Sequence, residues 1–184
     1  QVTPIGLGMM EFSGGGGLMG FAFPVINQEE KNATVRAALE GGINWFDTAE
    51  FYGQGASETA LTRALLSLGK TSDDVIIATK WWPAFRTARS IRRTIDKRIT
   101  ALNNYRIDLY QIHQPLSFST TQSQMRAMTQ LAHDGKIRYV GVSNFSAKRM
   151  RLAQEALSKQ GLNLISNQVE YSLLKRKIET NGIL

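Results

Sequence analysis

The chain has 184 residues, 42% of them hydrophobic, enough to bury the core of one domain. It has no cysteine, which excludes a disulfide framework and a thiolate metal site, and no apolar run approaches the ~18 residues of a membrane span. Its net charge of +7 is dispersed through segments such as 86–97 and 148–151, with acids and apolar positions between. This pattern predicts a solvated basic surface that can attract a polyphosphate cofactor, not a nucleic-acid platform.

Hydrophobic period switches repeatedly along the chain. Residues 2–7 read as a first strand, followed by a glycine-rich loop at 13–20. A helix is expected over 27–41, with Val35, Ala38 and Leu39 facing inward. Strand two is expected at 43–46 and a helix at 57–68, whose Ser57 supplies an N-cap. Strand three (75–79), helix three (87–102) and strand four (107–112) continue the alternation. Helix four (121–132) ends at Asp134-Gly135 and strand five spans 137–142. Helix five (146–159) stops at Gly161, strand six covers 164–169, and a further helix begins near Lys177.

Six β-α repeats point to parallel strands with helices outside. A doubly wound sheet fits the repeat count equally well. Side chains capable of chemistry at the ends of several successive strands favour a (β/α)8 TIM barrel. That barrel typically needs about 250 residues, so the expectation is a single domain over 1–184 holding about the first six units and incomplete at its C-terminal end. No charged leader with an apolar stretch and cleavage site is evident, and a cytoplasmic protein is expected.

Asp47, Tyr52, Lys80 and His113 stand where strand-like runs end, or just beyond. Parallel strands put such ends on one face, where the four side chains can converge. Around them, the segment GINWFDTAEFYGQGASE at 42–58 resembles the signature of the aldo-keto reductases. The resemblance extends in order to IIATKWW (76–82), IDLYQIHQP (107–115), GKIRYVGVSNF (135–145) and NQVEYSLL (167–174). The last block is most similar to the branch that contains bacterial reductases and potassium-channel β subunits.

The resemblance implies an NADP(H)-dependent reduction of aldehydes or ketones. A free tyrosine has a pKa near 10, and an adjacent ammonium is expected to lower it while a carboxylate holds the ammonium. Tyr52 is therefore the expected proton donor, Lys80 its tuner and Asp47 the partner of Lys80, with His113 on the substrate oxygen. Ser143, Asn144 and Gln168, together with Asp47, are expected to hold the cofactor, the first three at the nicotinamide carboxamide. The alternative for Ser143-Asn144 is capping of the helix near Ser146.

Phe51, Trp82 and Gln114 are the expected substrate contacts; Met9, Met10 and Trp81 lie nearby, Trp81 with an equal reading as core. A mobile loop over the mouth is expected at 14–17, which lacks the G-x-G-x-x-G spacing. His133 reads as solvent-facing, and no metal-ligand spacing is present. In the family, adenosine-phosphate contacts lie on strands seven and eight, beyond this sequence. A cofactor-sensing regulatory subunit with little turnover is the alternative function. An enzyme using Lys80 as a Schiff base is a third.

Overall fold

The computed structural model describes residues 1–14 and 25–184. The loop expected at 14–17 falls largely outside these residues. The described chain forms six strands alternating with five helices and falls into two compact units. The first comprises 1–80 and 95–109, the second 81–94 and 110–184.

In the first unit, β1 (Leu7–Gly8), β2 (Trp45–Asp47) and β3 (Ile76–Trp81, up to Lys80) run parallel. Leu7 stands opposite Phe46, and Asp47 stands between Gly8 and Ala78. The first strand is shorter than the pattern at 2–7 predicts. Pro4 has no N–H to give a ladder, and Thr3 turns its bonds to Asn44 and to the Ile5 carbonyl.

Helix α1 (Gln28–Glu40) begins with a capping box: the Asn27 side chain accepts from Glu30 N at 2.9 Å, and Glu30 accepts from Asn27 N at 3.1 Å. Helix α2 (Ala56–Ser67) buries Ala60, Leu61, Ala64 and Leu65 at helical spacing, and Phe46 on β2 and Ile77 on β3 are buried as well. Ser57 is not its cap. The helix starts after Gly55 with no side-chain cap, and the Ser57 hydroxyl is recruited by a tertiary bond to the Met9 carbonyl at 2.6 Å. The residues from Ile95 onward finish α3 (Arg89–Ala101) and lead to Asp108. Its carboxylate accepts from Ile77 N at 3.0 Å, so a side chain completes the pairing at the start of β3.

In the second unit, β4 (Leu109–Ile112, from Tyr110) is followed by α4 (Thr121–His133), β5 (Tyr139–Ser143), α5 (Ala147–Ser158) and β6 (Leu164–Gln168). Thr120 and Ser146 cap α4 and α5 by accepting from Ser123 N and Arg149 N. Gly135 (φ +69°) and Gly161 (φ +73°) follow the two helices in the left-handed conformation, as their positions predict.

β5 and β6 are parallel, with Val140 opposite Leu164 and Gly141 opposite Ser166. Ile165 is thus an extra residue, a bulge, and is half-exposed. Past it the register brings Ser143 opposite Gln168. Tyr110, Ile112, Met125, Met128, Val142 and Phe145 pack this unit's core. The helix expected near Lys177 is a single 3-10 turn, Lys177–Glu179. Among the described residues, no helix is long and apolar enough to cross a membrane.

Candidate active site

The first unit brings Asp47, Lys80 and Tyr52 together. Asp47 closes β2, and the chain beyond it keeps to β3: Thr48 N donates to Ala78 O at 2.9 Å and Glu50 N to Lys80 O at 3.2 Å. This pairing carries the chain into the 3-10 turn Tyr52–Gly55. Gly53 (φ +65°) allows the turn to lie against the Ser13 carbonyl, which a Cβ at that position would overlap.

Lys80 is almost fully buried. Its Nζ donates to both Asp47 carboxylate oxygens at 2.7 Å and to the Thr48 carbonyl at 2.9 Å. All three ammonium donors are therefore used, the condition under which a buried ion pair offsets its desolvation. The same Nζ lies 5.2 Å from the centroid of the Tyr52 ring.

Burial lowers the proton affinity of Lys80, and the charge and hydrogen bonds of Asp47 oppose that shift. Burial also raises the pKa of the Tyr52 phenol, with the charges of Asp47 and Glu11 acting in the same direction. The expected lowering of the phenol by its ammonium neighbour is outweighed by this burial, with the Asp47 charge adding to it. Tyr52 remains a protonated phenol at neutral pH, the form that can donate.

His113 belongs to the second unit. It follows β4, is buried, and its backbone N–H donates to the Trp81 carbonyl at 3.1 Å. Its ring meets the Trp82 ring edge-on, with centroids 5.3 Å apart and planes at 85°. Gln114, the next residue, is half-buried, as is Trp82; Phe51, in the first unit, is also half-buried and leads into the Tyr52 turn. Trp81 is core: it is fully buried, and its indole N–H donates to Ser90 Oγ at 3.1 Å. Met9 is fully buried as well, whereas His133 is exposed.

Ser143, Asn144 and Gln168 form a second cluster within that unit. Ser143 Oγ donates to the Gln168 carbonyl and Asn144 N to the same carbonyl, both at 2.9 Å. The Asn144 side-chain amide donates to Ser143 Oγ at 3.0 Å and to the His113 carbonyl at 3.3 Å. Asn144 holds a left-handed backbone, φ +60°, which asparagine tolerates better than most residues. Asn167 fixes the turn from behind. Its amide donates to Phe145 O at 2.9 Å, and its carbonyl accepts from Phe145 N at 3.2 Å. Ser146 alone caps α5, so Ser143 and Asn144 are not committed to that task.

Glu58, Thr79 and Arg98 are buried polar residues to which the sequence reading gave no role. Glu58 lies inside the 42–58 motif, yet a glutamate in a first helical turn ordinarily reads as solvated. Its partner Arg98 stands on an amphipathic helix far along the chain, and no spacing rule links the two. Among the described residues, no cluster of three or more His, Asp or Glu side chains is placed to hold a metal ion.

The model of the aldo/keto reductase family matches residues 4–184, and the chain belongs to that family. It is 38% identical over 175 residues to an uncharacterized oxidoreductase, Mb2320, of Mycobacterium bovis, covering 94% of this chain and 51% of that protein. It is 30% identical over 181 residues to a putative voltage-gated potassium channel subunit beta of Schizosaccharomyces pombe, covering 93% and 52%. The chain thus spans about half the length of these relatives.

Its structure is similar to the thermostable aldo-keto reductase Tm1743 in complex with the inhibitor epalrestat, with TM-score 0.81 and 30% identity over 99% of this chain and 63% of that one. It is also similar to an aldo-keto reductase of Klebsiella pneumoniae in complex with NADPH, with TM-score 0.79 and 28% identity over 99% and 59%. The fold is accordingly a partial TIM barrel, six parallel strands alternating with helices.

Proposed function

We propose that this chain carries the catalytic residues of an NADP(H)-dependent oxidoreductase that reduces aldehydes or ketones to alcohols. The supporting observation is the buried Asp47–Lys80 pair, with 2.7 Å bonds, set against the ring of a phenol that stays protonated. In this reading Tyr52 gives its proton to the carbonyl oxygen, and Lys80, fixed by Asp47, supplies the positive field that favours the phenolate left behind. His113 hydrogen-bonds the same oxygen and orients it. Trp82, Phe51 and Gln114 flank the body of the substrate.

NADP(H) supplies the hydride when bound. The donor set fits it, since a carboxamide offers both a donor and an acceptor, and the side-chain amides of Asn144 and Gln168 can answer both. The preference for NADP(H) is supported by the Klebsiella pneumoniae relative, whose complex contains NADPH.

The test is NADPH consumption at 340 nm with 4-nitrobenzaldehyde by the full-length protein carrying this chain. Turnover that falls at least about a hundredfold in Tyr52→Phe is expected, and equal rates in the two proteins refute the assignment. A second reading, a cofactor-sensing subunit, is favoured by the similarity to the putative channel subunit. Tight NADPH binding without aldehyde turnover is its expected result.

A further inference from the structure

The first unit contains a second buried acid that the proposed proton transfer does not use. Glu58 stands in the first turn of α2 and is fully buried. One carboxylate oxygen accepts from Thr79 Oγ1 and the other from Arg98 Nη1. Thr79 immediately precedes Lys80, so on a strand the two side chains leave opposite faces of β3. Glu58 therefore braces, from behind, the backbone that presents Lys80.

The adjacent Ser57 makes the matching contact on the neighbouring segment. Its Oγ lies 2.8 Å from Thr48 Oγ1, and the Thr48 carbonyl is an acceptor of Lys80 Nζ. The first turn of α2 thus reaches both segments that hold the ammonium. Gly55, at φ +102°, supplies the left-handed backbone from which this turn of α2 starts.

Such an arrangement is costly if its purpose is stability alone. Apolar residues of similar volume commonly replace a buried ion pair without loss. Here Arg98 is 5% exposed, and its Nε has no hydrogen-bond partner among the described residues. Burial holds the Glu58 carboxyl at about 7, so its charge is present on the alkaline side of neutrality. There it opposes the loss of the Lys80 proton, acting in the same sense as Asp47. The charged and titratable groups facing this set are Asp47 on β2, Glu50 and Tyr52 in the following segment, Lys80 on β3 and Arg98 on α3.

We propose that Glu58, fixed by Thr79 and Arg98 behind β3, is a positioning residue whose charge keeps Lys80 an ammonium beside Tyr52 as pH rises. The proposal rests on the reading of Lys80 as the cation of the proton-donating group.

The test uses the full-length protein with 13C at lysine Cε, the Lys80 resonance being assigned by its loss in Lys80→Met. The near-isosteric Glu58→Gln is expected to lower the Lys80 titration midpoint by about one pH unit. It is also expected to shift the alkaline limb of kcat equally, without changing KM for the aldehyde. Glu58→Asp restores most of the midpoint, and Thr79→Val, which keeps both charges, leaves it near the parent value. A folded Glu58→Gln protein with the parent's midpoint overturns the proposal. Should that variant fail to fold, Glu58→Met combined with Arg98→Met, which strands no charge, decides: a midpoint below the parent's is expected, and an unchanged midpoint overturns the proposal. A parent protein without carbonyl turnover refutes the reductase reading separately, because the Lys80 resonance reports with or without catalysis.

Discussion

Lys80→Met separates what the buried pair does for stability from its proposed part in the chemistry. Methionine fills most of the lysine volume but removes three hydrogen bonds, two to Asp47 and one to the Thr48 carbonyl. It leaves the Asp47 carboxylate, 7% exposed, without its cation. Stranding one partner of a buried pair costs about 3–5 kcal/mol. Most of that cost is the abandoned charge, so Asp47→Asn added to Lys80→Met should recover roughly half of it.

With a urea m-value of about 2 kcal/mol/M, the single variant should lower the unfolding midpoint by roughly 1.5–2.5 M. The double variant should lower it by only about 1 M. Urea titrations of the full-length proteins, followed by far-ultraviolet circular dichroism at pH 7.5, measure both. Equal midpoints for the single and double variants would refute the claim that an uncompensated charge is the cost. On the proposed reading both variants should lack aldehyde reduction, so recovered stability without recovered turnover is the outcome that supports a catalytic role for the pair.

Glu58 makes stability pH-dependent with a definite sign. Its pKa is about 7 when folded, against 4.5 for the free group, so the folded state binds more protons between these values. The contribution is fully present below pH 4.5 and is lost as pH rises through 7, on the order of 3 kcal/mol at most. Melting temperatures from pH 5 to pH 8 should therefore fall less in Glu58→Gln than in the parent; parallel curves would count against the buried-acid account. Asn144→Gly keeps the left-handed backbone but removes the side-chain amide, and it should weaken NADPH binding about tenfold with little change in melting temperature. An unchanged Kd by fluorescence titration removes Asn144 from the cofactor contacts. Asn27→Ala breaks the capping box of α1 and should cost about 1 kcal/mol, a drop of roughly 2–4 °C read by calorimetry.

The elements that were legible in the sequence are those whose signals are local. Asn27 and Glu30 sit three residues apart, and Asp134-Gly135 and Gly161 stop helices through their own backbone preferences. The strand ends carrying Asp47, Lys80 and His113 were found because short apolar runs stop there. Ser57 was misread because its hydroxyl is claimed by Met9, a residue 48 positions away, and no local rule encodes that bond. Glu58 and Arg98 were missed for the same reason, at a separation of 40. The first strand was overextended because apolar content at 2–7 says nothing of the N–H that Pro4 lacks. The direction of the Tyr52 shift was misjudged because residue types reveal the neighbouring charge but not the depth of burial that outweighs it.

Asn167 bonds to both the N–H and the C=O of Phe145, as a paired strand residue would. A side chain thus imitates one further rung of the β5–β6 ladder beyond Ser143 and Gln168. The turn bearing Asn144 is therefore ordered when the chain folds, and the entropy of arranging it is not charged to a later encounter. In the proposed reading, a nicotinamide carboxamide meets a turn that is already formed, and its capture requires no search for a competent loop.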